Sequence, residues 1–217
     1  MPNWCFNSAV LTAKTQEELE EFIQFAKQTH TSKYYEPFTD YQVEQEQNGV
    51  FWNFITPTDI EAYYAKQPVY SDSLPISDPN WYKQVEERRL ASNHWYDWNI
   101  TNWGTKWDVS WDEQDEPEID QQKDGRFYLV WHFNTAWGAP EPVYHAMAER
   151  FPNIEFDFEA TEESQAFAGS MSFMNGKVVN NRWVDNPNHD DLALLDLPCM
   201  GCSFEYEEDC FAHRQEV

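Results

Sequence analysis

The stretch RFYLVWHFNTAWGAPEPVYHAMAERFPNIEFDF, residues 126–158, predicts two strands joined by a helix. Arg126–Phe133 is rich in aromatic and β-branched residues and follows an Asp-Gly turn, as a strand does. Pro140 opens a helical stretch that Pro152 ends. Its apolar side is formed by residues at helical spacing, Val143, Met147 and Phe151. Ile154–Phe158 then alternates apolar and acidic residues, which indicates a half-buried strand. The stretch is therefore a β-α-β unit.

The N-terminal segment has the same order of elements. Cys5–Ala13 alternates in polarity, as a strand does, and Thr15 with Glu18 has the capping-box pattern of a helix start. The apolar run Val50–Ile55, which ends before Pro57, predicts a buried strand. We interpret residues 1–56 as a second β-α-β unit.

The segment between the two units is aromatic and predominantly helical in pattern. Residues 57–98 predict a helical insertion, because KQVEERRLA is rich in helix-forming residues. NWGTKWDVSW, residues 102–111, alternates Trp with polar residues and predicts a strand. An acidic loop, WDEQDEPEIDQQKDG, follows from Trp111.

The β-α-β unit over residues 126–158 is followed by a hairpin. Gln165–Met174 and Lys177–Val184 flank Asn175-Gly176, a dipeptide that suits a tight turn with two positive φ angles. The element order predicts an α+β, ferredoxin-like antiparallel sheet with two helices on one face, a helical aromatic-rich insertion and a short Cys-rich C-terminal tail. We expect one domain over 1–184, with the insertion at about 57–98, and an acidic Cys-rich extension over 185–217.

Charge and composition exclude several classes of protein. Aromatic residues make up 17% of the chain, which is too many for a disordered protein. Asp and Glu number 39 against 14 Lys and Arg, so the surface should repel nucleic acids and anionic lipids. No apolar run approaches the ~18 residues of a membrane span. MPNWCFNSAV lacks the features of a signal peptide, and we expect a cytoplasmic protein with reduced thiols.

Several motifs resemble those of the YubB-like family of plasmid and phage proteins. They are MPNWC (1–5), NWGTKWD (102–108), FNTAWGAP (133–140), AERFP (148–152) and FAGSMSFMNGKVV (167–179). The resemblance implies a ferredoxin-like α+β fold without an iron–sulfur cluster, and residence on mobile elements, in the cytoplasm of the host cell. It implies no reaction.

The two Trp-containing motifs have two interpretations. Trp103 and Trp107 would lie on the same face of the predicted strand and fill the space between insertion and sheet. Alternatively, polar side chains converge there and form a ligand pocket. The candidate pocket residues are Asn102, Trp103, Lys106, Trp107, Asp108 and Trp137. Packing is the simpler interpretation, because convergence cannot be inferred from spacing.

The C-terminal segment CMGCSFEYEEDCFAH contains three of the four cysteines. The pairs Cys199 with Cys202 and Cys210 with His213 have the spacing of two ligand pairs around a tetrahedral Zn²⁺. A four-ligand site would be structural and would anchor the tail. Two alternatives stay open, a redox or disulfide-forming Cys-x-x-Cys pair and free thiols in an acidic tail.

Three roles fit these features. The first is a mobile-element (phage or plasmid) accessory protein that binds a host protein with a basic surface, as an acidic inhibitor or nucleic-acid mimic acting on a nucleic-acid-binding (defence) protein. Its predicted contact residues are Asp112, Glu113, Asp115, Glu116 and Glu118, with further carboxylates in 154–163 and 205–209. The second is a small enzyme with a pocket between insertion and sheet, and the third a zinc-stapled structural or assembly protein. We expect binding without catalysis, because no familiar catalytic spacing occurs. The oligomeric state stays open.

Overall fold

The computed structural model describes residues 3–35, 41–65, 77–111, 118–195 and 197. The strands are β1 (Trp4–Ala13), β2 (Thr29–Tyr35), β3 (Gln42–Asn48), β4 (Asp120–Gln121), β5 (Phe127–Ala136), β6 (Glu155–Glu162), β7 (Phe167–Met174) and β8 (Lys177–Asp185). The helices are α1 (Gln16–Ala26), α2 (Val50–Phe54), α3 (Ile60–Tyr63), α4 (Trp81–Ala91), α5 (Trp95–Asn102), α6 (Glu141–Arg150) and α7 (His189–Leu194).

The larger sheet has the strand order β4-β5-β1-β6-β7-β8, and each neighbouring pair is antiparallel. β5 and β6, which α6 connects, lie on either side of β1, so the β-α-β unit is split by the first strand. This is the ferredoxin-like arrangement, with a very short β4 at one edge and the β7-β8 hairpin added at the other. The predicted fold class is confirmed.

α1 and α6 pack on one face of this sheet, which we call the inner face. Phe22 of α1 contacts the ring of Phe156, and Tyr144 of α6 stacks on Phe158 at 3.9 Å between ring centroids. Burial of these large rings supplies most of the apolar contact that holds the helices to the sheet. On the opposite, outer face, the short helix α7 covers Ala168 through Leu192 and Leu195.

Local sequence signals located several elements correctly. Thr15 Oγ1 accepts the Glu18 N–H, and the Glu18 carboxylate accepts the Thr15 N–H, so the predicted capping box begins α1. Asn175 and Gly176 have φ angles of 52° and 70°, as the tight turn between β7 and β8 requires. Both predictions are confirmed.

The predicted strand at Val50–Ile55 is wrong, because Val50–Phe54 forms α2. Val50, Phe51 and Trp52 are consecutive and all buried, and β-branched and aromatic content alone does not distinguish a strand from a buried helix. The decisive contact comes from a distant residue. Asp108 accepts hydrogen bonds from the backbone N–H groups of Phe51 and Trp52, so it caps the helix from outside.

The predicted strand over residues 102–111 is also wrong. α5 extends to Asn102, and Gly104 then turns the chain with a φ of +80°. Trp103 is buried and Trp107 is exposed, so the two rings do not share a face. In addition, residues 29–48, which have no apolar periodicity, contain the antiparallel pair β2-β3. The division of the chain into domains at residue 184 stays a prediction.

No helix within the described residues combines the length and apolar character needed to cross a bilayer.

Candidate functional site

The NWGTKWD and FNTAWGAP motifs dock against each other. Thr105 Oγ1 donates to the carbonyl of Ala136 at 2.9 Å and accepts the N–H of the same residue at 3.0 Å. The two motif glycines pack backbone to backbone, because a Cβ on Gly138 would lie 2.9 Å from the Gly104 carbonyl oxygen. The shared packing fixes the direction in which residues 106–108 leave the turn.

Lys106 lies among aromatic rings. Its Nζ is 4.4 Å from the centroid of the Trp107 ring, 5.2 Å from Trp137 and 5.5 Å from Tyr96. Each ring face attracts the ammonium group through its quadrupole. Trp4 contacts Trp107 at 6.0 Å and extends the aromatic cluster toward β1. Lys106 is therefore held on the surface side of the motif.

Asp108 points to the opposite side of the segment, toward α2. Its Oδ1 accepts the N–H groups of Phe51 and Val109, both at 2.7 Å, and its Oδ2 accepts the N–H of Trp52 at 3.0 Å. Gly49 makes this approach possible, because an added Cβ would collide with Oδ2 and would lie 2.8 Å from His30 Cε1. The carboxylate and the imidazole are thus neighbours across a glycine.

A cavity of about 410 Å³ opens beside this carboxylate. β2, β3, α2, α3, α5 and the segment 103–110 all contribute to its wall. The side chains that line it are His30, Ser32, Gln47, Asn48, Trp52, Tyr63, Tyr64, Asn99, Trp103, Trp107, Asp108, Val109 and Ser110. Its volume is in the range of small-molecule sites, and its wall combines aromatic rings with a few polar groups.

Hydrogen bonds hold most of the polar wall in place. Tyr63 donates its hydroxyl to Asn99 Oδ1 at 2.9 Å, and Asn99 Nδ2 donates to the Lys106 carbonyl. His30 stacks on Trp52 with ring centroids 4.4 Å apart. His30 Nδ1 and Asn48 Oδ1 are buried, and neither has a hydrogen-bond partner among the described residues. These two atoms of the cavity wall are therefore available to form hydrogen bonds with a ligand.

The electrostatic character of the cavity depends on Asp108. Burial raises the pKa of Asp108 to about 7, although three backbone N–H donors act in the opposite direction. Burial lowers the pKa of His30, which keeps this imidazole neutral at neutral pH. Burial also raises the pKa values of Tyr63 and Tyr64. No Lys or Arg occurs among the described residues of the lining, so a charged Asp108 has no cationic partner there.

The residues that the sequence suggested for a pocket do not all line the same cavity in the structure. Trp103, Trp107 and Asp108 line the cavity, whereas Lys106 and Trp137 belong to the surface cluster. Asn102 Nδ2 donates to the Trp98 carbonyl in its own helix. A second cavity, of about 360 Å³, lies between Trp107–Trp111 and the strands β1 and β5. The segment Trp107–Ser110 is common to the walls of both cavities.

Sequence reasoning missed five of the lining residues that matter for this geometry, namely His30, Trp52, Tyr63, Tyr64 and Asn99. They come from four separate elements, and no local spacing connects them. The only signal in the sequence was Asp108, a lone carboxylate between two apolar residues, Trp107 and Val109. Such a residue often has a buried hydrogen-bonding role, as it does here.

Carboxylates occur on both sides of the sheet. α1 exposes Glu17, Glu20 and Glu21 on the side away from the core. On β6, Phe156 and Phe158 face the core, so the alternating residues Glu155, Asp157 and Glu159 project from the outer face. Glu155 also forms an ion pair with Arg126 at 2.8 Å. Glu118 is exposed just before β4, whereas Asp112, Glu113, Asp115 and Glu116 lie outside the described residues.

The predicted zinc ligands Cys199, Cys202, Cys210 and His213 also lie outside the described residues. Within residues 3–35, 41–65, 77–111, 118–195 and 197, no group of three or more His, Cys, Asp or Glu is placed to hold a metal ion. Cys5 is buried, and burial raises the pKa of its thiol to about 12. This cysteine is therefore a structural residue.

Comparison with known proteins gives a family similarity over part of the chain. A family model described as "Ferredoxin-like domain in Api92-like protein" matches residues 106–191, which include β4 to β8 and α6. A crystal structure of a protein Api92 from Yersinia pseudotuberculosis is similar with a TM-score of 0.43 and 8% sequence identity. That match covers 84% of this chain and 98% of the other chain. No curated protein matches the chain. The similarity found is thus to Api92-like proteins, and the YubB-like resemblance stays a prediction.

Proposed function

We propose that this chain is a mobile-element accessory protein that acts by binding, as an acidic inhibitor of a host protein with a basic nucleic-acid-binding surface. The observation that carries the proposal is the row of carboxylates on the outer face of β6, formed by Glu155, Asp157 and Glu159. Alternate residues of a strand are about 6.6–6.8 Å apart, so the row places three carboxylates in a line, and Glu155 at one end also pairs with Arg126. A nucleic-acid strand presents negative charge to proteins in the same linear manner.

The charge of the whole chain supports this role. The formal net charge is −25, which steers a basic partner toward the protein and repels nucleic acids and anionic membranes. The acidic loop residues Asp112, Glu113, Asp115, Glu116 and Glu118 precede β4 in the sequence, and β4 is an edge strand of the same sheet. The partner is thus expected to contact the outer face together with this edge. We place the interaction in the host cytoplasm, as the resemblance to mobile-element proteins implies.

The proposal favours binding over catalysis at the sites described so far. The Asp108 carboxylate already accepts three backbone hydrogen bonds, so it is engaged in capping α2 and is poorly available as a general base. The alternative of a small enzyme would use the cavity beside Asp108. If the protein has an enzymatic activity, substitutions in the cavity should abolish it and substitutions on β6 should leave it unchanged.

The test uses capture from a bacterial lysate followed by competition. Three proteins are compared, the wild type, an outer-face variant E155Q/D157N/E159Q and a matched control E17Q/E20Q/E21Q on α1. Both variants lose three carboxylates, but on opposite sides of the sheet. We expect the wild type and the control to retain a basic nucleic-acid-binding protein that the outer-face variant loses. The captured protein should release duplex DNA when the wild type is added.

Salt dependence provides a second criterion. Exposed charges are screened beyond a Debye length of ~8 Å at 0.15 M salt, so retention should weaken steeply as salt rises to that level. Reversing the charge of Asp112, Glu113, Asp115, Glu116 and Glu118 should weaken retention further. Equal retention by all variants, or simultaneous binding of DNA and this chain to the partner, would contradict the proposal.

We further propose that the C-terminal cysteines hold a structural zinc ion. The support is the spacing of Cys199, Cys202, Cys210 and His213, whose thiolate and imidazole groups suit Zn²⁺ better than Mg²⁺ or Ca²⁺. Elemental analysis of protein purified without a polyhistidine tag or added metal should give close to one zinc per chain. Less than about a tenth of an equivalent would exclude a closed four-ligand site.

A further inference from the structure

We propose that the cavity beside Asp108 is a binding site for an organic cation, either a guanidinium or an alkylammonium group. The cavity of about 410 Å³ has a carboxylate in its wall, together with five aromatic side chains and without any Lys or Arg among its described lining residues. Carboxylate and aromatic rings together are the combination that recognises such cations in proteins. The proposal does not depend on the acidic outer face, because none of the described lining residues belongs to the six-stranded sheet.

The carboxylate retains capacity for one more donor. Asp108 Oδ1 already accepts two N–H groups, whereas Oδ2 accepts, among the described residues, only the N–H of Trp52. A carboxylate oxygen has two acceptor directions, so Oδ2 can accept one further hydrogen bond. A Cβ added at Gly49 would collide with Oδ2 and would lie 2.8 Å from His30 Cε1, so Oδ2 is the oxygen on the side of Gly49. A ligand N–H at this point would form a charge-assisted hydrogen bond.

The remaining wall suits the rest of such a ligand. Trp52, Tyr63, Tyr64, Trp103 and Trp107 offer aromatic surface to an alkyl stem or to the face of a planar guanidinium. The imidazole of His30 is neutral, because burial lowers its pKa, so it does not repel a cation. An anionic ligand would instead meet a carboxylate without any compensating Lys or Arg, which excludes that class of ligand.

The cation can come from two sources, a free small molecule or the side chain of a partner protein. The shared chemistry is tested first, by NMR titration of the full chain with methylguanidinium chloride at constant ionic strength. N-methylurea, which has a similar shape and no charge, is the matched ligand. The reporters are the backbone amides of Phe51, Trp52 and Val109, which donate to Asp108. We expect saturable shifts with methylguanidinium and less than about a tenth of the effect with N-methylurea, since loss of 1.4 kcal/mol is ten-fold in affinity.

Two variants locate the site. D108N should weaken methylguanidinium binding by about ten-fold or more, because the charge-assisted hydrogen bond is lost. E21Q removes the same charge from the exposed side of α1 and should leave binding within about two-fold of the wild type. The outer-face variant E155Q/D157N/E159Q should also bind normally. Normal binding by this variant separates the cavity proposal from the proposed function.

The wild type alone provides a test that does not depend on the folding of D108N. The titratable groups that face Asp108 are His30, Tyr63 and Tyr64, and burial keeps all three neutral near pH 7. Because the cation competes with a proton on Asp108, affinity should rise by about ten-fold between pH 6 and pH 8. Affinity that is independent of pH, equal binding of N-methylurea, or no saturable shift up to about 0.1 M ligand would overturn the proposal.

A capped Gly-Arg-Gly peptide distinguishes the sources of the cation. If the peptide binds as tightly as methylguanidinium, the cavity accepts a side chain from a partner. If only the free cation binds, the ligand is a small molecule. Either result supports the organic-cation site, and failure of both ligands overturns it.

Discussion

Asn7 and Asp108 are polar residues among aromatic rings, but the protein surrounds them differently. Asn7 lies on the inner face of β1, where Nδ2 donates to Thr135 Oγ1 and Phe133 O and Oδ1 accepts the hydroxyl of Tyr144 at 2.7 Å. All of its polar atoms have partners and no described cavity is lined by it. Asp108 caps α2, yet it borders a cavity whose wall includes unpartnered polar atoms.

The difference separates a structural polar centre from a candidate binding site. Around Asn7, neutral groups satisfy one another and connect β1, β5 and α6, so the network contributes to stability alone. Around Asp108, the described cavity lining contains no Lys or Arg, and the described residues leave part of the carboxylate's hydrogen-bonding capacity unused. A buried polar residue indicates a binding function when some of its hydrogen bonds are unmade and a cavity lies beside it.

Replacing Asn7 should have the largest effect on stability. Asn7→Ala leaves the Tyr144 hydroxyl and the Thr135 hydroxyl short of a partner in a buried region, which should lower the free energy of unfolding by about 3 kcal/mol. Asn180→Ala is the matched control, since Asn180 is exposed and its side chain donates to Ser170 Oγ. Denaturant unfolding measures both. A cost below about 1 kcal/mol for Asn7→Ala would show that the network is not a structural centre.

Gly49 should give the next largest effect. In Gly49→Ala the new methyl group would collide with Asp108 Oδ2 and crowd His30, so we expect a loss of about 2 kcal/mol. Gly125→Ala serves for comparison, because its methyl group meets nothing within 4 Å and only the positive φ of +90° is unfavourable, at about 1 kcal/mol. If both variants lose the same stability, the close approach at Gly49 is not a constraint on Asp108.

Local chemistry made part of this structure predictable. The capping box at Thr15 and the Asn175-Gly176 turn depend on residues a few positions apart, and the sequence therefore located α1 and the β7-β8 hairpin. α2 depends on Asp108, 57 residues away from Phe51, and its apolar composition misled the prediction. β2 and β3 are polar strands that form a separate two-stranded sheet. Their sequences do not alternate between apolar and polar residues, so no hydrophobic pattern indicated them.

The cavity was less predictable than the fold. Asp108, Trp103 and Trp107 were candidate pocket residues, but His30 and Tyr63 reach the same site only through tertiary packing. Converging polar groups in NWGTKWD were the alternative to packing, and the spacing gave no indication that Lys106 and Asp108 point to opposite sides. Lys106 turns to the surface rings and Asp108 turns to α2, because the chain bends at residues 104–107 and residues two positions apart therefore do not share a face as they would in a strand. Alternation in an irregular segment cannot be derived from spacing.

Asp108 should also differ from Asn7 in making the stability of the protein depend on pH. The folded pKa of Asp108 is about 7, above its unfolded value of 3.8, so the folded state binds more protons between these values. The stability contributed by protonated Asp108 is therefore full below pH 3.8 and is lost as pH rises to 7. Relative to D108N, the wild type should lose more than about 1 kcal/mol between pH 4 and pH 7. Asp157→Asn, on the outer face, is the control, and a constant difference between wild type and D108N would contradict the raised pKa.

The smallest effect on stability is expected at Lys106, two positions before Asp108 in the sequence. Lys106→Met keeps much of the alkyl contact and removes the ammonium group from the rings of Trp107, Trp137 and Tyr96. The rings are partly exposed, so the loss should be about 0.5–1 kcal/mol. Lys123→Met, in the exposed turn before β5, removes the same charge and should change stability by less than about 0.3 kcal/mol. Because Lys106 lies outside the cavity lining, Lys106→Met should leave methylguanidinium binding unchanged. Weaker binding in this variant would mean that the surface cluster and the cavity act as one site.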